Sequence, residues 1–180
     1  SDVEIRCMNK WDERYRSHDT VYRVKPNVFW ASQLSLLPVG RLLLPCDGEG
    51  RNAVWAAEQG WDVSSFDMSA TGVAKAGQLA SSRGVSIEAV TADAMEVNHG
   101  ASFDVVGLIF AHMPPDVRSA FHARAWSWVK PGGRLLVEGF HVDQLGLASG
   151  GPKVPDMLFD ATTMHKDLDL DHGRILWNAR

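Results

Sequence analysis

The residues best placed to do chemistry are two glycines and two aspartates that follow successive apolar runs. Gly48 and Gly50 lie in PCDGEGRNA (45–53), directly after RLLLP (41–45). A G-x-G turn between a buried strand and a helix lets a ligand approach the backbone, because the missing side chains leave room. Asp67 closes the next run, WDVSSF (61–66), 17 residues beyond Gly50, where a carboxylate can accept hydrogen bonds from ribose hydroxyls. Asp93, in TADA (91–94), closes the third and could accept from an adenine amino group. Taken singly, an aspartate after a strand is a helix cap and a G-x-G is an ordinary turn. In this order, after successive strands, they point to an adenosine-containing cofactor.

Other titratable groups could serve an acceptor. His112, in FAHMPP (110–115), follows the fourth apolar run and is the candidate catalytic residue, as substrate contact or general base. The bland reading of His112 is a loop histidine that caps the following helix or bonds a backbone carbonyl, and the two weigh about equally. His141, after the fifth run, is a second candidate for substrate contact, and His18, His99 and His172 read as solvated surface. Arg23 and Lys25, in YRVKPN (22–27), and Arg51 are the cations available to an anionic acceptor. Cys46 reads as a small filler rather than a nucleophile. No metal site is expected.

These residues need elements to hold them. RLLLP is a continuous apolar run, as a strand buried on both faces requires. NAVWAAEQ (52–59) is a helix ended by Gly60, and SATGVAKAGQLASSR (69–83) is one started by Ser69 and closed by Gly84. VSIEAV (85–90) and FDVVGLIF (103–110) are further strands, the latter apolar enough to be central. PPDVRSAFHARAWSWV (114–129) carries Val117, Phe121, Ala125 and Trp128 at helical spacing, KPGG (130–133) reads as a turn, and RLLVEGF (134–140) as a fifth strand. The alternation predicts an α/β fold: a Rossmann-like, doubly wound, mostly parallel sheet with helices on both faces. Residues 1–39 form a helical lid, 40–140 the cofactor-binding core, and 141–180 a substrate loop and a C-terminal strand, all within one domain. Trp30, Trp126 and Trp128 read as packing residues.

Composition narrows the class further. Hydrophobic residues make up 45% and charged residues 22% of the 180, near the globular average. A net charge of -4 without a basic stripe argues against a nucleic-acid partner. No run approaches the roughly 18 apolar residues of a membrane helix. Two cysteines, Cys7 and Cys46, make no disulfide framework, so a reducing cytoplasm is the expected location.

The chain resembles the class I S-adenosylmethionine-dependent methyltransferases, most of all the small branch related to the tellurite-resistance and thiopurine methyltransferases. WDERY (11–15), YRVKPN, PCDGEGRNAVWAAEQGWDV (45–63), TADA, GLIFAHMPP (107–115), KPGGRLLVEGF (130–140) and GGPKVPDMLF (150–159) carry the resemblance. It implies S-adenosylmethionine as cofactor, with the backbone from Cys46 to Gly50 against its methionine part and Asn52 among the cofactor-binding residues. Asp67 would take the ribose hydroxyls, with Met68 beside the adenine. Asp93 and the Ala94 amide would bind the ring, Phe110 would close the site, and Trp11 would cover it. The acceptor implied is a small molecule with a soft nucleophile, such as a thiol, selenium or tellurium species. Relatives carry an acid at the position of Leu44 and a glycine at that of Cys46, and Asp47 or Glu49 could supply the missing carboxylate to the methionine amine.

Two rivals remain. GEGRNA also fits the G-x-G-x-x-A of a nicotinamide oxidoreductase, although the N-terminal segment would be an odd addition to one. A non-catalytic binding protein on the same fold is the other. RILW (174–177) could be a sixth strand, and the sequence leaves no room for a seventh. The sheet is therefore expected to be incomplete at its C-terminal edge, with a second copy or a rearranged tail covering the fifth strand.

Overall fold

The computed structural model describes residues 10–17, 19–148 and 150–168. Five strands, β1 (Arg41–Pro45), β2 (Asp62–Asp67), β3 (Glu88–Thr91), β4 (Phe103–Ile109) and β5 (Val129–Glu138), form one sheet in the order β3-β2-β1-β4-β5. Every pairing is parallel. The chain winds outward from β1 in both directions, so strand order reverses between β1 and β4, where such sheets bind ligands. This is the Rossmann-like α/β arrangement expected from the alternating runs.

Residues of the apolar runs point alternately to two helix layers. Leu42, Leu44 and Val105 pack with Trp30 of α2 (Val28–Leu34) and with Ala53 and Ala56 of α3 (Arg51–Glu58). Leu43, Val106 and Leu108 pack on the other face with Phe121 and Ala125 of α5 (Pro115–Ser127) and with Trp128. Trp30 is fully buried, and a Cβ at Gly107 would lie 2.5 Å from its ring. Glycine in the middle of β4 is therefore what admits the indole. α4 (Ala70–Arg83) begins where expected, with the Ser69 hydroxyl accepting from Gly72 N, and ends at left-handed Gly84.

Several boundaries differ from expectation. KPGG is a bulge within β5 rather than a turn before it: Phe103 pairs with Val129 and Val105 with Arg134, so five residues of β5 answer two of β4. Gly132, at φ 80°, and Gly133, whose Cβ would lie 2.8 Å from Asp104 O, make the bulge possible. β3 is short and pairs with β2 over Ser64 to Asp67. His99 is not solvated surface: its ring packs against Phe103 at 5.3 Å and Trp128 at 5.9 Å, and burial holds its pKa below the ordinary value.

Helix α6 (Ala161–Leu168) docks on α5 through a buried carboxylate. Asp167 Oδ2 accepts from Arg118 Nε at 2.7 Å and from His122 Nδ1 at 3.0 Å. Among the described residues β5 is bonded along one edge only, apart from a bridge between His141 and Phe159 just past its end. RILW, Cys7, His18 and His172 lie outside the described residues. No helix among the described residues is long and apolar enough to cross a membrane.

Candidate cofactor site

The site is built where β1, β2 and β4 end. Among the described residues, two other than glycine adopt a positive φ: Cys46, just past β1, and Phe110, just past β4, each at 56°. Backbone of this kind is costly for a side-chain residue and gathers where a fold shapes a ligand site. Gly48 and Gly50 continue the turn at φ 58° and 79°. A Cβ at Gly50 would meet Ala76 Cβ at 2.5 Å, so this glycine is required by the packing of α3 on α4. A Cβ at Gly48 would collide with the Tyr15 hydroxyl.

Asp67 is the best-formed polar group of the site. It is buried, with Oδ2 accepting from Gly48 N and Oδ1 from Ser69 N, both at 2.9 Å. Burial raises its pKa and the two amides oppose the rise. A carboxylate has about four acceptor positions, so one per oxygen remains for a ligand. Beside it Met68 is half-buried. Asp93 Oδ1 accepts from Met95 N at 2.7 Å, and Ala94 is buried. Asp47 Oδ2 accepts from Ala53 N at 3.2 Å, yet burial pushes its pKa up to about 7, helped by the charge of Asp67. Burial, with the carboxylates of Asp67, Asp93 and Asp47 nearby, holds the Cys46 thiol well above its ordinary value. Such a thiol stays protonated and is a poor nucleophile.

An N-terminal lid is fastened over this turn. The first helix, α1 (10–16), sets Asp12 on the start of α4, where it accepts from the Ser69 hydroxyl and from Thr71 N. Tyr15 packs on Gly48, and Trp11 stacks on Tyr15 at 5.7 Å. The Glu49 carboxylate accepts from Val21 N at 2.9 Å and Tyr22 N at 3.3 Å and pairs with Lys75 at 3.1 Å. Glu49 is thus committed to the lid. Asn52 Oδ1 accepts from Asn27 N at 2.9 Å, and the Arg51 guanidinium lies 5.5 Å from the Tyr22 ring. A cavity of about 300 Å³ opens between the lid and α4, lined by Tyr22, Val24, Glu49, Arg51, Lys75 and Leu79 among others. It touches neither Asp67 nor Asp93, so it does not mark the strand-end site. Arg23 is exposed on the lid, away from that lining.

The ends of β4 and β5 form an aromatic wall. Phe110, about one third exposed, lies 4.8 Å from Phe140, and His112 stacks on Phe159 at 4.5 Å. His112 Nδ1 donates to Met157 O at 2.7 Å, and its Nε2 accepts from Phe140 N at 2.9 Å. Both ring nitrogens are engaged, and burial holds the ring below its ordinary pKa. The ring thus ties the loop after β4 to the end of β5 and to the turn at 155–157. His141 caps the short turn Val142–Gln144, its Nδ1 accepting from Asp143 N at 3.2 Å. That bond does not direct it at the strand ends.

Residues 44–133, half of the chain, match the methyltransferase domain family. The chain belongs to that family. No curated protein sequence matches this methyltransferase domain. Similar solved structures include one determined for the conversion of a disulfide bond into a thioacetal group during echinomycin biosynthesis. It is 19% identical with a TM-score of 0.73, over 90% of this chain and 77% of that one. YjhP from E. coli is 20% identical with a TM-score of 0.67, over 89% and 70%. An S-adenosylmethionine-dependent methyltransferase from Geobacter sulfurreducens, in complex with S-adenosyl-L-homocysteine, is 19% identical with a TM-score of 0.59, over 71% and 54%. The chain thus spans from about half to about three quarters of the length of these structures.

The residues present fit the family's cofactor, S-adenosylmethionine. A buried carboxylate with spare acceptor capacity ends β2, a half-buried one follows β3, and Gly48 leaves the turn without a side chain where Tyr15 packs on it. Four residues of this methyltransferase domain escaped the reading of the sequence as site components: Asp12, Tyr15, Asn27 and Glu138. Asp12 and Tyr15 sit in WDERY, where only the tryptophan was singled out. Glu138 carried the clearest signal, a carboxylate inside the otherwise apolar run RLLVEGF.

Proposed function

We propose that this domain transfers a methyl group from S-adenosylmethionine to a small-molecule acceptor bearing a soft nucleophile, in the cytoplasm. The observation that carries the reading is Asp67, a buried carboxylate at the end of β2 bonded to the amide of Gly48 within the family-matched segment. The cofactor supplies an electrophilic methyl carbon on a sulfonium, which leaves as a neutral thioether. Asp67 would hold the ribose hydroxyls, with Met68, Asp93 and Ala94 around the adenine and Trp11 and Tyr15 covering the turn. Phe110 and Phe140 would wall the acceptor. With His112 engaged at both nitrogens, the acceptor is best one that arrives deprotonated, as a thiolate or selenide does, since alignment alone can lower the barrier by roughly 7–11 kcal/mol. A second copy over the β5 edge belongs to the same reading, and light scattering tests it.

The test is calorimetric titration with S-adenosylmethionine, S-adenosylhomocysteine and NAD(H), repeated on Asp67→Asn and Asp67→Ala. Binding of the first two should weaken at least 30-fold in either variant, about 2 kcal/mol for a charged hydrogen-bond acceptor. Binding of NAD(H) instead would make the chain an oxidoreductase.

A further inference from the structure

The sheet face that carries Leu44 holds no acid at that position: Leu44 is buried in the apolar cluster around Trp30. Of the two substitutes, Glu49 is taken by two lid amides and Lys75, and Asp47 receives Ala53 N on Oδ2. The same face does carry one more carboxylate. Glu138 ends β5 two residues after Leu136, which packs on the Trp30 cluster, so strand alternation places it toward α2 and α3. Its backbone carbonyl accepts from Phe110 N at 2.8 Å, next to the end of β1. Glu138 Oε2 is the one buried carboxylate oxygen without a hydrogen-bond partner among the described residues. Leaving such a group without a donor is costly, so a donor supplied by a ligand is the natural completion.

The surroundings name the ligand group. Burial raises the Glu138 pKa, and a hydrogen bond from Asn27 of the lid and the nearby Arg51 guanidinium oppose the rise. No ion pair joins Arg51 to Glu138 among the described residues; Arg51 lies instead over the Tyr22 ring. An acid and a base held close but unpaired match a group that carries both opposite charges on one carbon. The α-amino acid end of the cofactor is such a group.

Building on the cofactor proposed above, we infer that Glu138 Oε2 receives the methionine ammonium, with Arg51 facing the methionine carboxylate, in place of the acid absent at Leu44. The lid residues Tyr22 to Asn27 close over that end.

The experiment titrates S-adenosylhomocysteine and 5′-methylthioadenosine, which lacks the amino acid group, into wild type and Glu138→Gln. Glu138→Gln should weaken S-adenosylhomocysteine at least tenfold and leave methylthioadenosine within twofold. Equal loss of both would make Glu138 a support of the lid and overturn the inference, as would no loss of either. Arg51→Gln should show the same selective loss, and its absence would remove Arg51 from the assignment. If wild type binds neither probe, the cofactor reading itself fails, which is distinct from a failure confined to the variant.

Discussion

The two ends of the site are finished to different degrees. At the end of β2 each carboxylate oxygen of Asp67 already has a backbone donor, and the neighbouring turn is fixed by α4 on one side and Tyr15 on the other. At the end of β5 a buried oxygen of Glu138 has none, and what covers it is an irregular lid segment. The difference teaches where binding free energy can go. The β2 end needs no rearrangement to receive a nucleoside, so its hydrogen bonds cost little ordering. The β5 end becomes satisfied only when a ligand brings the missing donor, so occupancy there should couple to closure of the lid.

The sharpest way to break the comparison is to disturb the packing of the rigid end. Gly50→Ala places a methyl 2.5 Å from Ala76 Cβ at a φ of 79°. The clash is with helix α4 rather than the tip of a flexible side chain, so it cannot be relieved cheaply. Urea unfolding should show a loss of about 3 kcal/mol, from overpacking and left-handed strain together. Gly48→Ala should lose less, because its methyl meets the hydroxyl end of Tyr15, which can swing. Equal losses would mean that the turn is less rigid than its packing implies.

The contrast between the ends also explains what the sequence made legible. Gly48, Gly50, Asp67 and Asp93 were readable because each belongs to a local pattern: a strand, its turn and the residue that follows. Partners contributed from far along the chain were not. Glu49 meets Val21 across 28 residues and Asp12 meets Thr71 across 59. Nothing in GEGRNA says that its glutamate faces the lid. The packing of His99 and the two bonds of His112 were hidden for the same reason, since loop histidines have no periodicity to reveal what lies against them. The bulge at KPGG was hidden because a P-G-G tripeptide reads equally as a turn or as a strand with two glycines.

A smaller effect should come from charge at the finished end. Asp47 has its pKa raised from 3.8 to about 7, chiefly by burial. The folded state therefore holds a proton that the unfolded state releases above 3.8. The associated stability is complete below 3.8 and drains away as pH rises toward 7. Asp47→Asn keeps the acceptor for Ala53 N and removes the charge. At pH 8 it should be more stable than wild type by on the order of 2 kcal/mol, allowing for partial exposure, and the gap should close as pH falls toward 4. Thermal melts across that range measure it. A gap independent of pH would show that Asp47 ionises freely in the fold, and the β2 end would then carry more fixed charge than its burial suggests.

The smallest effect on ligand binding is expected at the wall beside Glu138. His112→Phe keeps an aromatic ring against Phe159 and Phe140 but abandons the bonds to Met157 O and Phe140 N. Two backbone groups lose their partners, so stability should fall by roughly 1–3 kcal/mol. S-adenosylhomocysteine affinity should stay within twofold, because the ring lies behind the wall rather than on the amino acid end. The ring of wild-type His112 should titrate below 6.5 by NMR, since burial opposes its protonation while the carbonyl of Met157 favours it less strongly. A titration at or above 6.5, with an intact Nε2 acceptor lost on protonation, would mean that the bond to Phe140 N opens readily. The histidine would then be free to take a proton, and the β5 end would contain a base as well as an unfilled acceptor.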